Sequence, residues 1–245
     1  MSDTPIRDRP PISADDALPV LREAPMEVLG RMPWSSNATF LVDLDDADHD
    51  LQAVYKPVQG ERPLWDFPTG LARREVAAFE LSHHLGWDLV PPTVLRTEGP
   101  LGVGSLQLFV PADFEQHYFT IRDDPAHEPT LQRLCAFDII ANSTDRKGGH
   151  CLFDSNGEIW AIDNGLSFHT DFKLRTVIWD YAGETIPADI VAEVASFIEG
   201  GPPESFADLL DDDEVDAAMR RASALITDGC FPVDHTGRRW PWPMV

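Results

Sequence analysis

The chain has 245 residues, 43% hydrophobic and 25% charged, a composition that fits a globular protein with its own core and excludes a low-complexity or fibrous one. Nineteen Lys and Arg against 42 Asp and Glu give a formal net charge of −23, which repels nucleic-acid phosphates and anionic bilayers; nucleic-acid partners and membrane docking are not expected. Cys135, Cys151 and Cys230 form no CxxC pair, and no stretch approaches the ~20 apolar residues of a membrane span, so a reducing cytoplasm is the expected compartment.

Residues 1–16, rich in Pro and Asp and without hydrophobic periodicity, read as a disordered acidic tail, with the fold beginning near Leu18. An apolar segment from Glu27, a turn dense in hydroxyls and the run Ala38 to Val42 predict a hairpin. Residues 51–56 alternate as a third strand that Pro57 ends. Apolar positions Ala72, Val76, Phe79 and Leu81 predict a helix over 71–85, stopped at Gly86. Residues 93–96 and 105–110 complete a five-stranded antiparallel sheet with one helix. Beyond Pro111 the pattern turns helical, over 130–141, 188–198 and 213–226, interrupted by a hairpin at 151–162. The fold class is therefore α+β, with a sheet-rich lobe at 17–110, a mainly helical lobe at 111–245 and a ligand cleft expected between them. The ending Trp240-Pro241-Trp242-Pro243 reads as a docked aromatic anchor or a segment for a partner protein.

The chemistry concentrates in a few strings. Asn142-Ser143-Thr144-Asp145-Arg146-Lys147-Gly148-Gly149-His150 crowds a carboxylate, cations and glycines into one turn behind an apolar helix; a capped helix end would look similar. Ile162-Asp163-Asn164-Gly165 presents a carboxylate at a strand end. Alone, a strand-end Lys56, a helical Glu75 and an Asp-x-Gly are each weak signals. Together, Lys56, Glu75, Asp145 and Asp163 occur in the order in which kinases use a phosphate-binding lysine, its glutamate partner, a catalytic aspartate and a metal-binding aspartate. The dinucleotide GxGxxG, the GKS/GKT phosphate loop and the GxSxG elbow are absent, and the adjacent His83 and His84 cannot form the i, i+4 pair of a zinc helix.

These strings resemble the type II phosphatidylinositol 4-kinases and, more distantly, the HipA-like kinases. The resemblance runs from Val54-Tyr55-Lys56-Pro57 through Arg74-Glu75-Val76-Ala77-Ala78-Phe79, Val103 to Val110 and Asp138 to Arg146, to Ile162-Asp163-Asn164-Gly165-Leu166-Ser167-Phe168. It implies a two-lobed protein-kinase-like fold and an ATP-dependent phosphotransferase using Mg²⁺ or Mn²⁺. Lys56 would hold the α/β-phosphates and Glu75 would orient Lys56. Ser35, Ser36, Asn37, Ala38 and Thr39 would offer N–H groups and hydroxyls to the phosphates. Gln107, Leu108, Phe109 and Val110 would read adenine through backbone groups, Asp145 would accept the proton of the attacking hydroxyl, and Asp163 would bind the metal. Arg146 is expected to fix its loop rather than to touch substrate.

The family usually places Asn five residues after the catalytic Asp, where this chain has His150. His150 is either a metal ligand, shifting preference toward Mn²⁺, or a buried histidine that hydrogen-bonds the loop. Lys173 and Arg175 are candidate anion readers for the acceptor, or solvated loop charges. The expected activity is γ-phosphate transfer to a hydroxyl of a soluble polyol or inositol-like metabolite or of a protein Ser/Thr; the alternative is a nucleotide-binding pseudokinase that regulates a partner.

Overall fold

The computed structural model describes residues 11–32 and 37–245; residues 1–10 of the expected tail lie outside it, as do Ser35 and Ser36. Five strands, β1 (Met26–Arg31), β2 (Phe40–Asp45), β3 (Asp50–Pro57), β4 (Thr93–Arg96) and β5 (Gly104–Leu108), form an antiparallel sheet in the order β1-β2-β3-β5-β4. Period-2 alternation sends Leu51, Ala53 and Tyr55 of β3 to one face and Val54 and Lys56 to the other.

The first face is covered by a helix that the sequence does not announce, α1 (Ala14–Glu23), which begins inside the stretch read as a tail. Ser13 caps it, accepting from Asp16 N at 3.1 Å, and Asp15 and Asp16 complement its N-terminal dipole. Ala17, Val20 and Leu21 pack on Val42, Tyr55 and Leu106 of the sheet, and Arg96 Nη1 closes the helix by donating to Leu21 O and Ala24 O at 3.0 Å each. Pro19 lies within this helix, and its first turn, with Asp15 and Asp16, falls in the stretch read as a tail. The first lobe thus holds two helices rather than the expected one.

Helix α2 (Leu71–His84) follows, starting from Gly70 at φ 94° and ending before Gly86 at φ 69°. The second lobe contains α3 (Tyr118–Ile121), α4 (Glu128–Ala141), the hairpin β6 (Cys151–Phe153) and β7 (Ile159–Ala161), α5 (Ala188–Gly200), α6 (Glu204–Ala207) and α7 (Asp212–Asp228). One core joins Phe79 of α2 to Leu131 and Phe137 of α4, Val194 of α5 and Leu225 of α7, so the two lobes share buried surface through α2. No helix among the described residues is long and apolar enough to cross a membrane.

Candidate active site

Lys56 leaves β3 on the face turned toward α2. Its Nζ donates to Glu75 Oε1 and, at 2.9 Å, to Asp163 Oδ1, while the second oxygen of Glu75 accepts from Asn164 N at 3.0 Å. A strand, a helix and the turn after β7 are thereby tied into one ring of charge-assisted bonds. Burial works against the Lys56 ammonium, but the carboxylates of Asp163 and Glu75 outweigh it and hold its pKa above the ordinary lysine value. Lys56 in turn holds Asp163 well below the usual carboxylate range against the opposing effect of burial. Glu75 is buried at 3% exposure, whereas the Asp163 side chain is 54% exposed, so Asp163 is the member of the ring that is open to a ligand. Asp163 occupies the left-handed region at φ 59°, a conformation that aspartate tolerates better than bulky residues.

Asp145 reaches the same place from the turn after α4. That helix ends at Asn142, φ 55°, whose side chain donates to His169 O at 2.9 Å and Asp171 O at 2.7 Å and accepts from Lys173 N at 2.9 Å. Arg146 then anchors the turn from a buried position. Its Nε donates to Asp138 Oδ1 at 3.0 Å, Nη1 to Ile162 O at 2.8 Å and Nη2 to Asn164 Oδ1 at 2.5 Å. Asp138 also accepts from Thr176 Oγ1 at 2.8 Å. Arg146 fixes the loop, as expected. Burial raises the pKa of Asp145, opposed by Lys147, whose Nζ lies 3.1 Å from Asp145 Oδ2.

Lys56, Glu75, Asp145 and Asp163 line one cleft of about 280 Å³, and Asn37, Ala38 and Thr39 line it with them. Asn37 Oδ1 accepts from Arg62 N at 3.3 Å and Ala38 N donates to Gly60 O at 3.4 Å, so this stretch of the β1–β2 connection is braced by the segment after β3. Gln107 to Val110 do not join the cleft lining. β5 is an interior strand paired on both edges, and Leu108 N and Phe109 N donate to Pro92 O and Gln52 O. Two N–H groups of the segment expected to read adenine, those of Leu108 and Phe109, are thus spent within the fold, and Gln107 Nε2 is spent on Thr93 Oγ1 at 2.9 Å.

His150 stands beside Asp163, with Nε2 3.5 Å from Asp163 Oδ2, and its Nδ1 accepts from Lys147 N at 3.4 Å. With Nδ1 accepting that bond, the neutral ring would carry its proton on Nε2; burial depresses the ring's pKa to about 4, so the imidazole is neutral near pH 7. The geometry is that of a loop-bonding histidine. Ligation through Nε2 would require the opposite tautomer and the loss of the Lys147 bond. The remaining donors still suit a divalent cation. No three His, Cys, Asp or Glu among the described residues converge to hold a metal by themselves, but Mg²⁺ is commonly held by one or two carboxylates with substrate phosphates and water. Asp163, half exposed in the cleft, supplies such a carboxylate.

Lys173 does not lie free for an acceptor: its Nζ donates to Asp66 O at 2.6 Å, bridging the second lobe to the loop before α2. Arg175 is exposed, and its backbone pairs with Ser143 and Arg146. The C-terminal segment is docked by its backbone, Met244 O accepting from Gly148 N at 2.6 Å and Arg239 O from Thr176 N at 3.1 Å. Trp240 and Trp242 are not its anchors; they stand 40% and 87% exposed. Three contributors had been given no role of their own. Asn164 follows Asp163 directly and was legible as part of the same string. Asp138, a carboxylate inside an apolar helical run, carried the warning of a buried pair. Glu61, which caps α2 through Ala72 N at 2.8 Å and lines the cleft, gave no signal.

No protein-family model matches the chain. Over 266 aligned positions, covering 94% of this chain and 95% of the other, it is 39% identical to Protein Rv2133c of Mycobacterium tuberculosis. The chain belongs to the family of Protein Rv2133c. Among solved structures, the Golgi casein kinase with Mn/ADP bound matches with a TM-score of 0.61 at 16% identity, covering 95% of this chain and 80% of that one. A second crystal structure of the Golgi casein kinase matches with a TM-score of 0.59 at 15% identity over 93% and 77%. The fold of this member of the Rv2133c family is therefore protein-kinase-like, with two lobes as expected.

Proposed function

We propose that the protein is a kinase, an ATP-dependent phosphotransferase that moves the γ-phosphate to an alcohol group. The observation that carries this reading is the Lys56 ammonium held between Glu75 and a half-exposed Asp163 in a cleft that also contains Asp145. Lys56 would meet nucleotide phosphates as a point charge, fixed by Glu75. Asp163 would hold Mg²⁺ or Mn²⁺, which when bound offsets charge on the phosphates. Asp145 would orient the acceptor hydroxyl and take its proton; its raised pKa makes it a better base than an exposed aspartate. The acceptor is a hydroxyl of a soluble polyol or inositol-like metabolite or of a protein Ser/Thr, and the net charge of −23 favours either over a lipid headgroup in an anionic bilayer. A reducing cytoplasm agrees with three free cysteines.

The test is transfer of labelled γ-phosphate to a panel of polyols and peptides, with Asp145→Asn alongside. Transfer that falls by about 10²-fold or more in the variant supports the reading; transfer unaffected by the variant rejects Asp145 as the base. The nucleotide-sensing pseudokinase is favoured by one observation, the 3.4 Å contact of His150 Nδ1 with Lys147 N at a position where kinases of the resembled families carry Asn. ATP binding without transfer to any acceptor, water included, would select it.

A further inference from the structure

The segment between Asp163 and Asp180 carries three hydroxyl side chains, Ser167, Thr170 and Thr176. Ser167 and Thr176 are buried, and Thr176 Oγ1 is committed to Asp138 Oδ2 at 2.8 Å. Thr170 differs. It sits at a bend where three consecutive residues, Thr170, Asp171 and Phe172, are exposed, and its hydroxyl has no hydrogen-bond partner among the described residues. The carbonyls on either side of it are engaged: Asn142 Nδ2 donates to His169 O at 2.9 Å and to Asp171 O at 2.7 Å. Asn142 ends α4 and opens the turn that carries Asp145, so the bend at Thr170 is tied to the start of that turn.

Thr170 also lines a cavity of about 420 Å³ between α4 and α7, and Arg220 of α7 lines it too. Arg220 is exposed, and its side chain has neither an ion pair nor a hydrogen bond among the described residues. Its neighbour Arg221, which donates to Ile140 O and His169 O, adds charge but no open donor. Against these two guanidinium groups the described lining sets one carboxylate, Asp228, so this wall is net positive in a chain of net charge −23. Asp171, beside Thr170, is 80% exposed and screened by water.

We propose that Thr170 is a phosphorylation site, modified by a second copy of the same chain, and that Arg220 receives the phosphate. The proposal rests on the phosphotransferase reading and names one acceptor for it, a threonine hydroxyl of a like molecule. Thr170 lines a cavity other than the Lys56–Asp163 cleft, so the transfer runs between two molecules. Thr170 Oγ1 forms a bond to the γ-phosphorus of ATP, the bond from that phosphorus to the β–γ bridging oxygen breaks, ADP leaves, and the hydroxyl proton passes to Asp145 of the copy acting as enzyme. A phosphothreonine carries about −1.5 to −2 charges at pH 7 and three acceptor oxygens, which suit the planar fork of a guanidinium. The pair would pin the bend to α7, and with it the two carbonyls that hold Asn142.

The experiment incubates the whole protein with ATP and Mg²⁺ or Mn²⁺, alone and with the panel of polyols and peptides, and maps phosphate by mass spectrometry. The expected result is phosphate on Thr170 of the wild type, at a rate that rises with protein concentration. Asp145→Asn alone should acquire none, whereas isotope-labelled Asp145→Asn mixed with wild type should acquire it on Thr170. Thr170→Val should lose that label. In Arg220→Gln a broad-specificity phosphatase should remove the Thr170 phosphate about tenfold faster, the worth of one charge-assisted hydrogen bond. Both positions are exposed, and thermal denaturation confirms that the variants fold. Phosphate on the panel or on other residues with Thr170 unmodified would overturn the proposal and leave the kinase reading standing; no transfer to any acceptor would overturn both. Equal phosphatase rates in wild type and Arg220→Gln would overturn the part given to Arg220.

Discussion

At the scale of single residues, the site is decided by which charges are paired and which are open. Glu75 and Arg146 are spent inside the protein, while Asp163 keeps about half its side chain in the cleft. Asp138 is the carboxylate on which Arg146 depends, and Asp138→Asn should cost about 3–5 kcal/mol in chemical denaturation because it leaves a buried guanidinium uncompensated. His150 provides a pH test in metal-free protein. Its pKa in the folded state is lowered from 6.5 to about 4, so folding favours the neutral ring. That contribution is complete above pH 6.5 and is lost as pH falls toward about 4. His150→Asn should flatten the fall in Tm over this window; an unchanged profile would assign the acid sensitivity to other groups. Lys56 has the opposite sign. Its raised pKa gives a contribution that is full below 10.5 and lost only at more alkaline pH, so the Lys56–Asp163 pair should persist across the neutral range.

At the scale of elements, α2 is clamped rather than free to swing. Arg74, next to Glu75, is buried against Glu214 of α7, with Nη2 2.5 Å from Oε1, and donates to Ser167 O at 3.2 Å; Ser205 of α6 bonds Glu80 at 2.6 Å. Glu214→Leu alone should destabilise the protein by about 3 kcal/mol or more, whereas adding Arg74→Met to it should recover most of the loss. Near-additive losses in that double-mutant cycle would show that the pair is not coupled. This clamp was not legible in the sequence, because no local spacing links residues 140 positions apart. The sheet and α2 were legible, since Leu51, Ala53 and Tyr55 alternate and Ala72, Val76 and Phe79 share a helical face. Helix α1 was hidden by Pro19 and an acidic first turn. The cleft residues Lys56, Glu75, Asp145 and Asp163 were found from their order along the chain, whereas strand propensity did not reveal that the N–H groups of Leu108 and Phe109 are already paired within the fold.

At the scale of the whole molecule, a net charge of −23 surrounds a cleft whose ligand would itself be anionic. Like-charge repulsion slows such an encounter and salt screens it, with a Debye length of about 10 Å at 0.1 M. Nucleotide association should therefore speed up as ionic strength rises from low values, the reverse of a site embedded in a basic surface, and stopped-flow binding would show it. The central claim, that the Lys56–Asp163 cleft is a metal-dependent nucleotide site, is tested most directly by thermal unfolding with ATP and Mg²⁺ or Mn²⁺ for the wild type and Asp163→Ala. At 100 times Kd, bound nucleotide should stabilise the wild type by about 2.7 kcal/mol, only with metal present, and the variant should lose that gain. No shift with either metal, or an equal shift in Asp163→Ala, would contradict the assignment.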